Sequence, residues 1–204
     1  MQNNFYLQHG KRIFDFFASL SGLMILSPLL LAIALCVKIL DKGPVLHLSK
    51  RIGQRHKPFS LLKFRTMVVN AEKLGPLVTK GNDSRITPIG KFLRRTKLDE
   101  LPQLINVLKG DMSFVGPRPE VQKYAAYFSR DYREILKIKP GITDYAAIEY
   151  RNEEELLKQA EDVEKVYLGK VLPAKIKLYK TYMTEIGFFT DIKIIFRTFL
   201  KVIR

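Results

Sequence analysis

The sequence predicts an α/β protein, mostly helical with one small β-hairpin, in which an N-terminal membrane helix-break-helix leads into a compact cytoplasmic domain with interfacial amphipathic helices. Three observations predict it. Residues 16–37 are 22 consecutive positions without a charge, long enough to enter or cross a bilayer as helix. Val45 to Leu48 and Phe59 to Phe64 are short strand-like runs joined by RIGQRHKP, whose Gly53 supplies freedom for a reversal. Elsewhere the apolar residues recur at three and four, the helical period.

Length and charge bound the rest. A chain of 204 residues suffices for one well-buried domain with some length left over. A formal charge of +15 implies a polyanionic partner, either nucleic acid, a phospholipid surface or a phosphorylated substrate, and charge alone does not choose. The single cysteine, Cys36, excludes a disulfide framework or cysteine metal knuckle within the chain and is consistent with a reducing compartment. The chain is read as a membrane hairpin over 1–40, a core over 41–145 and a helical, membrane-surface extension over 146–204, the boundary at 145 being what the resemblance described below implies.

In chain order, Lys11, Arg12 and Asp15 precede the charge-free run and Lys38 follows it. Ser27-Pro28 stands at its middle, where proline removes a backbone donor and serine can satisfy the freed carbonyl. A break there lets the chain turn back. Basic residues at both flanks give no strong reason to leave either end across the membrane, so a re-entrant hairpin fits better, with a single span as the alternative. Asp41 to Pro44 is a turn cluster. The second strand ends in Lys63-Phe64-Arg65-Thr66-Met67, with Lys63 and Arg65 on one strand face. Paired cations there suit a phosphate, or equally protect a solvated edge strand from aggregation.

Thr87-Pro88 opens a short helix that ends in Arg94-Arg95-Thr96. Asp99 and Glu100 follow at once, with Asp99 at an expected helix N-cap, Pro102 in the first turn, and Leu101, Leu104, Ile105 and Leu108 as the apolar stripe. The acid pair would feel the positive end of the helix dipole, and Arg94 and Arg95 would depress its pKa. Two readings stay open for Asp99: a plain cap, or an ionised nucleophile and metal ligand. Arg118, fixed between Pro117 and Pro119, is a recognition arginine with little entropy left to lose. Cations around a carboxylate pair are what phosphoryl chemistry requires, because an anion cannot approach a phosphorus flanked by anionic oxygens unless charge is offset.

The later segments read as supports. They comprise a helix over 121–138, a turn over 140–143, a Glu-led helix over 152–167, and a basic amphipathic helix carrying Phe189, Ile192, Ile195, Phe196, Phe199 and Ile203 on one side and Lys193, Arg197, Lys201 and Arg204 elsewhere. That last helix suits an anionic membrane surface or packing on its own domain.

Taken together, Lys11-Arg12 and Asp15, Ser27-Pro28, Arg51-x-Gly53, Lys63 to Met67, Leu98 to Leu104, Lys109 to Ser113, Gly116 to Pro119 and Pro140 to Thr143 resemble, in one order, the monotopic phosphoglycosyl transferases. These are bacterial sugar transferases that begin glycan assembly on polyprenyl phosphate. The chain is similar to the small, core-only members. The resemblance implies that Asp99 attacks the sugar-linked phosphorus of a UDP-sugar and expels UMP. Polyprenyl phosphate then takes the phosphosugar from the aspartyl intermediate. It implies Glu100 as an assistant in proton handling or metal contact, and Mg²⁺ held at Asp99 and Glu100. Lys63, Arg65, Arg94, Arg95 and Arg118 would lie around the donor phosphates, with Lys11 and Arg12 near the acceptor head. The implied setting is one leaflet of the bacterial inner membrane at its cytoplasmic face, rich in anionic phospholipid, with no nucleic acid partner and with a homo-oligomer allowed. The rivals are a non-catalytic membrane-anchored polyanion-binding protein and, among enzymes, a membrane phosphatase or single-step transferase. An acid pair among arginines speaks against pure polyanion binding, because it repels phosphate.

Overall fold

The computed structural model describes residues 6–203. A π-turn at Tyr6–Gly10 leads into α1 (Lys11–Asp41), a single 31-residue helix that runs through Ser27-Pro28. The expected break does not end the helix. Pro28 has no N–H to offer Met24, and the Ser27 hydroxyl donates to the Met24 carbonyl instead at 2.8 Å. Phe17, Met24, Ile25, Leu31, Ile39 and Leu40 are exposed along it.

The hairpin forms as expected, with a longer first strand: β1 (Leu46–Ile52) pairs antiparallel with β2 (Pro58–Phe64), from Leu46 opposite Phe64 to Ile52 opposite Pro58. The second edge of β2 is met by a side chain. In α3 (Gln103–Lys109), Asn106 accepts from Leu62 N at 3.0 Å and donates to Ser60 O at 2.8 Å, so its amide stands in for a third strand. Between them α2 (Pro88–Thr96) begins at Thr87, whose hydroxyl accepts from Gly90 N at 3.1 Å. Gly90 is obligatory at this contact, since a Cβ there would lie 2.1 Å from Thr66 O.

After α3 come β3 (Ser113–Val115), α4 (Gln122–Tyr127), α5 (Ser129–Ile135), β4 (Gly141–Thr143), α6 (Tyr145–Glu149), α7 (Glu153–Leu156), α8 (Val163–Val166), α9 (Leu172–Thr184) and α10 (Phe188–Ile203). Several expectations are corrected here. The helix expected over 121–138 is two helices, parted at Phe128, whose φ −120 and ψ 42 are not helical. The stretch 152–167 holds two short helices in place of one. The turn expected at 140–143 contains β4, which pairs in parallel with β3. That pairing demands close approach of two glycine backbones, as a Cβ on Gly141 would sit 2.1 Å from Gly116 N.

Residues of the segment 146–204 pack into the body of the protein. Tyr167, Leu172, Ile176 and Tyr179 share one buried core with Tyr124, Tyr132, Ile135 and Ile52. In α10, Asp191 and Ile194 face inward while Phe189, Ile192, Phe196, Phe199 and Leu200 are exposed, leaving an apolar outer face. Arg204, expected on the charged side, lies outside the described residues.

The N-terminal cations act as fasteners. Arg12 donates to Val107 O at 2.7 Å and Leu108 O at 2.8 Å, satisfying carbonyls at the C-terminal end of α3. Lys11 pairs with buried Asp191 of α10 and donates to Tyr182 OH at 3.2 Å. Asp15 is buried and accepts from Ser113 Oγ at 3.1 Å and Phe114 N at 3.0 Å. Removing Lys11 leaves Asp191, among the described residues, with the hydroxyls of Tyr6 and Tyr182. Lys11→Met is therefore expected to cost on the order of 2 kcal/mol of stability. A thermal melt in detergent checks it, and an unchanged melting temperature would show that the pair fastens nothing.

Candidate active site

The acid pair lies in a 3₁₀ turn, Leu98–Glu100, between α2 and α3. Lys97 enters that turn at φ +58, and α3 starts only at Gln103 with Pro102 before it and no side-chain cap. Asp99 therefore does not cap the helix. Its side chain is turned inward, only 6% exposed, and Oδ1 is buried without a hydrogen-bond partner among the described residues. Burial raises its pKa above the usual carboxylate range, Lys63 opposes that, and the neighbouring Glu100 charge adds to it. The expected depression is reversed because desolvation outweighs the cations.

Glu100 has the opposite environment. Lys63 Nζ donates to Oε1 at 2.8 Å, Arg118 Nη1 donates to Oε2 at 3.1 Å, and Arg118 Nη2 pairs with Oε1. Burial alone would raise its pKa, but Arg118 and Lys63 together hold it well below the ordinary value. Two adjacent carboxylates are thus pushed apart, one basic and unpaired, the other fixed as an anion by two cations. Lys63 reaches the turn because β2 is held against α3; burial lowers its pKa and Glu100 raises it, with a net lowering.

The remaining predicted cations divide. Arg94 lies beside the turn, donating Nε to Thr66 Oγ1 at 2.9 Å and Nη1 to Glu154 Oε1 at 2.6 Å. Arg95, on the same helix, is exposed and borders the same groove. Arg65 borders the same groove but makes no hydrogen bond or ion pair to Asp99 or Glu100 among the described residues. It is buried near the exit of α1, where Nη2 donates to Lys42 O at 3.0 Å and Nε and Nη1 have no partner among the described residues. Lys11 and Arg12 are engaged at α10 and α3 as described.

Asp99, Glu100, Lys63, Arg94 and Arg118 open onto one groove of about 1660 Å³. That exceeds the roughly 300–1,000 Å³ of ordinary small-molecule pockets, which suits an extended ligand. Alongside them stand further cations that the sequence reading did not single out, among them Lys97, Arg151 and Lys175. Lys175 is buried against Glu153. Arg151 donates to Val202 O at 3.0 Å. Lys97 was legible as the cation two residues before Asp99, whereas Arg151 and Lys175 reach the groove only through tertiary packing. Among the described residues no three His, Cys, Asp or Glu side chains are grouped to hold a metal.

Comparison with known proteins places this geometry in context. The chain is 39% identical over 200 residues to the UDP-glucose:undecaprenyl-phosphate glucose-1-phosphate transferase of Escherichia coli (strain K12), which covers 94% of this chain and 39% of that protein. It is 41% identical over 143 residues to the UDP-N-acetylgalactosamine-undecaprenyl-phosphate N-acetylgalactosaminephosphotransferase of Aeromonas hydrophila, covering 68% of this chain and 33% of that one. The chain thus spans between a third and two fifths of the length of these two relatives. To the uncharacterized sugar transferase EpsL of Bacillus subtilis (strain 168) it is 36% identical over 193 residues, 95% of this chain and 87% of that one. The model of the bacterial sugar transferase family matches residues 6–204, nearly the whole sequence, and the chain belongs to that family.

Proposed function

We propose that this chain moves a sugar 1-phosphate from a UDP-sugar to polyprenyl phosphate in two displacements at Asp99. One observation carries the reading: a buried carboxylate oxygen without a partner, beside a second carboxylate already neutralised by Lys63 and Arg118. In the first displacement an Asp99 oxygen bonds to the sugar-linked phosphorus, and the bond from that phosphorus to the bridging oxygen breaks, releasing UMP. In the second, a phosphate oxygen of the acceptor bonds to the same phosphorus and Asp99 leaves with its electron pair. A raised pKa accompanies a more basic nucleophile, and only its ionised form reacts.

Arg94, Arg118, Lys97 and Arg151 supply positive charge for the donor phosphates. Glu100 keeps two of the groove's cations, Lys63 and Arg118, in place. The residues fit Mg²⁺ through Asp99, whose Oδ1 is free, together with oxygens of a bound diphosphate. Glu100 fits it poorly, since three of its four acceptor positions face cations. When bound, the ion would offset diphosphate charge. The test is to incubate the full chain with Mg²⁺, polyprenyl phosphate and each of UDP-glucose, UDP-galactose and UDP-N-acetylgalactosamine, and to measure UMP. Release dependent on the acceptor beyond one turnover supports the reading, and no release from any donor removes it.

The same reading places the chain on the cytoplasmic leaflet of a bacterial inner membrane, without crossing it. At about 1.5 Å per residue, α1 is about 46 Å long, more than a bilayer core. Yet both of its halves are fastened to one domain. Lys11, Arg12 and Asp15 hold α3, β3 and α10, while Ile33 and Val37 are buried with Phe64 and Leu93. A spanning helix would leave one end across the bilayer from its partners. The exposed apolar faces of α1 and α10 would both enter the leaflet, with anionic phospholipid facing the basic residues. In a Cys36→Ser background, cysteines placed at Leu7 and at Lys50 are expected to react with an impermeant maleimide only after the cytoplasmic side is opened. Labelling of position 7 from the outside would rule this topology out.

A further inference from the structure

The parallel pair β3–β4 delivers two groups side by side at its carboxyl ends. Gly116 N donates to Thr143 O at 3.0 Å and Gly141 N to Pro117 O at 3.0 Å, so the chain leaving β3 toward Arg118 runs against the chain leaving β4 toward Asp144. Asp144 is 1% exposed. Its Oδ2 accepts the backbone N–H of Arg118 at 3.0 Å and its Oδ1 accepts Ala147 N at 2.6 Å, capping α6. Pro117 and Pro119 offer no N–H, which leaves the Arg118 amide as the one backbone donor of the Pro-Arg-Pro segment. One buried carboxylate thus fixes the main chain from which the guanidinium reaches Glu100.

We propose that Asp144 is a positioning residue for Arg118: its ionised carboxylate grips the Arg118 amide and thereby sets the affinity of the groove for the anionic donor, a grip that loosens on protonation. This rests on the transferase reading above. A neutral acid is a weaker acceptor than a carboxylate and no longer attracts the arginine that it supports. Burial pushes the Asp144 pKa up to about 6, against the lowering by the backbone N–H groups of Ala147 and Arg118 and by the charges of Arg118 and Lys175. The charged and titratable groups facing it are Arg118 beyond β3, Lys175 and Tyr179 on α9, and Tyr132 on α5. Protonation therefore falls between the two pH values of the test below.

The test uses the full chain carrying Asp99→Asn, which removes both turnover and the titration of Asp99, and measures binding of the UDP-sugar that the unsubstituted chain consumes. Asp99 protonation would strengthen anion binding, so its removal also eliminates an effect of opposite sign. The Asp99→Asn chain is expected to bind about fivefold more weakly at about pH 5 than at about pH 7.5. Adding Asp144→Asn should give the weaker affinity at both values, with no pH dependence. Asp144→Ser keeps a cap for α6 but is too short to reach the Arg118 amide, and should behave in the same way. Double variants that retain both the affinity and the pH dependence would overturn the proposal. UMP release by the unsubstituted chain reports separately on the transferase reading.

Discussion

Asp99→Asn is expected to abolish UMP release and covalent capture of the phosphosugar while leaving the fold intact. The amide is nearly isosteric and makes no demand on a cap, because Asp99 does not cap α3. It also removes a buried charge whose Oδ1 has no hydrogen bond, so the melting temperature should hold or rise. Activity falls because an amide oxygen cannot form the acyl phosphate. Glu100→Gln is the control. It weakens the attachment of Lys63 and Arg118 and slows turnover, yet the nucleophile remains and labelling at Asp99 persists. Labelling that survives Asp99→Asn and vanishes in Glu100→Gln would reverse the two roles.

Arg118→Lys is the second large effect. The substitution conserves charge, but lysine cannot give Glu100 the two parallel N–H bonds that Arg118 makes through Nη1 and Nη2. Lys63 would then hold Glu100 by itself, and the cation offered to the donor phosphates would lose its fixed direction. A loss of about 2–3 kcal/mol in transition-state stabilisation, roughly 30-fold or more in kcat/KM, is expected. Steady-state kinetics with the donor varied check it, and unchanged constants would remove Arg118 from the site.

The elements legible in the sequence were those signalled by local chemistry. The Thr87-Pro88 start of α2, the hairpin around Gly53 and the amphipathic α10 each depend on residues close in the chain. The acid pair and Arg118 were legible for the same reason, being dense local motifs. What was not legible was set by distant partners. Lys11 and Arg12 stand beside an apolar run, and no local pattern reports that they are tied to Asp191, 180 residues away, and to Val107, 95 residues away. The sign of the Asp99 pKa depends on burial, which no local pattern reports. β4 is three residues long and exists because β3 lies beside it. Pro28 signalled a break that one serine hydroxyl repairs. Asp144 carried only the weak signal of an N-cap residue before Tyr-Ala-Ala-Ile, and its bond to Arg118 appears only once the two strands are paired.

The central claim, a covalent phosphosugar on Asp99, is tested most directly by intact-protein mass after mixing the full chain with each of the UDP-sugars named above and Mg²⁺ but no polyprenyl phosphate. The expected result is a mass gain of one sugar phosphate, a matching single burst of UMP, and peptide mapping that places the adduct on Asp99, with the adduct discharged when polyprenyl phosphate is added. A chain that turns over with both substrates yet gives no adduct and no UMP burst with the donor alone would contradict it.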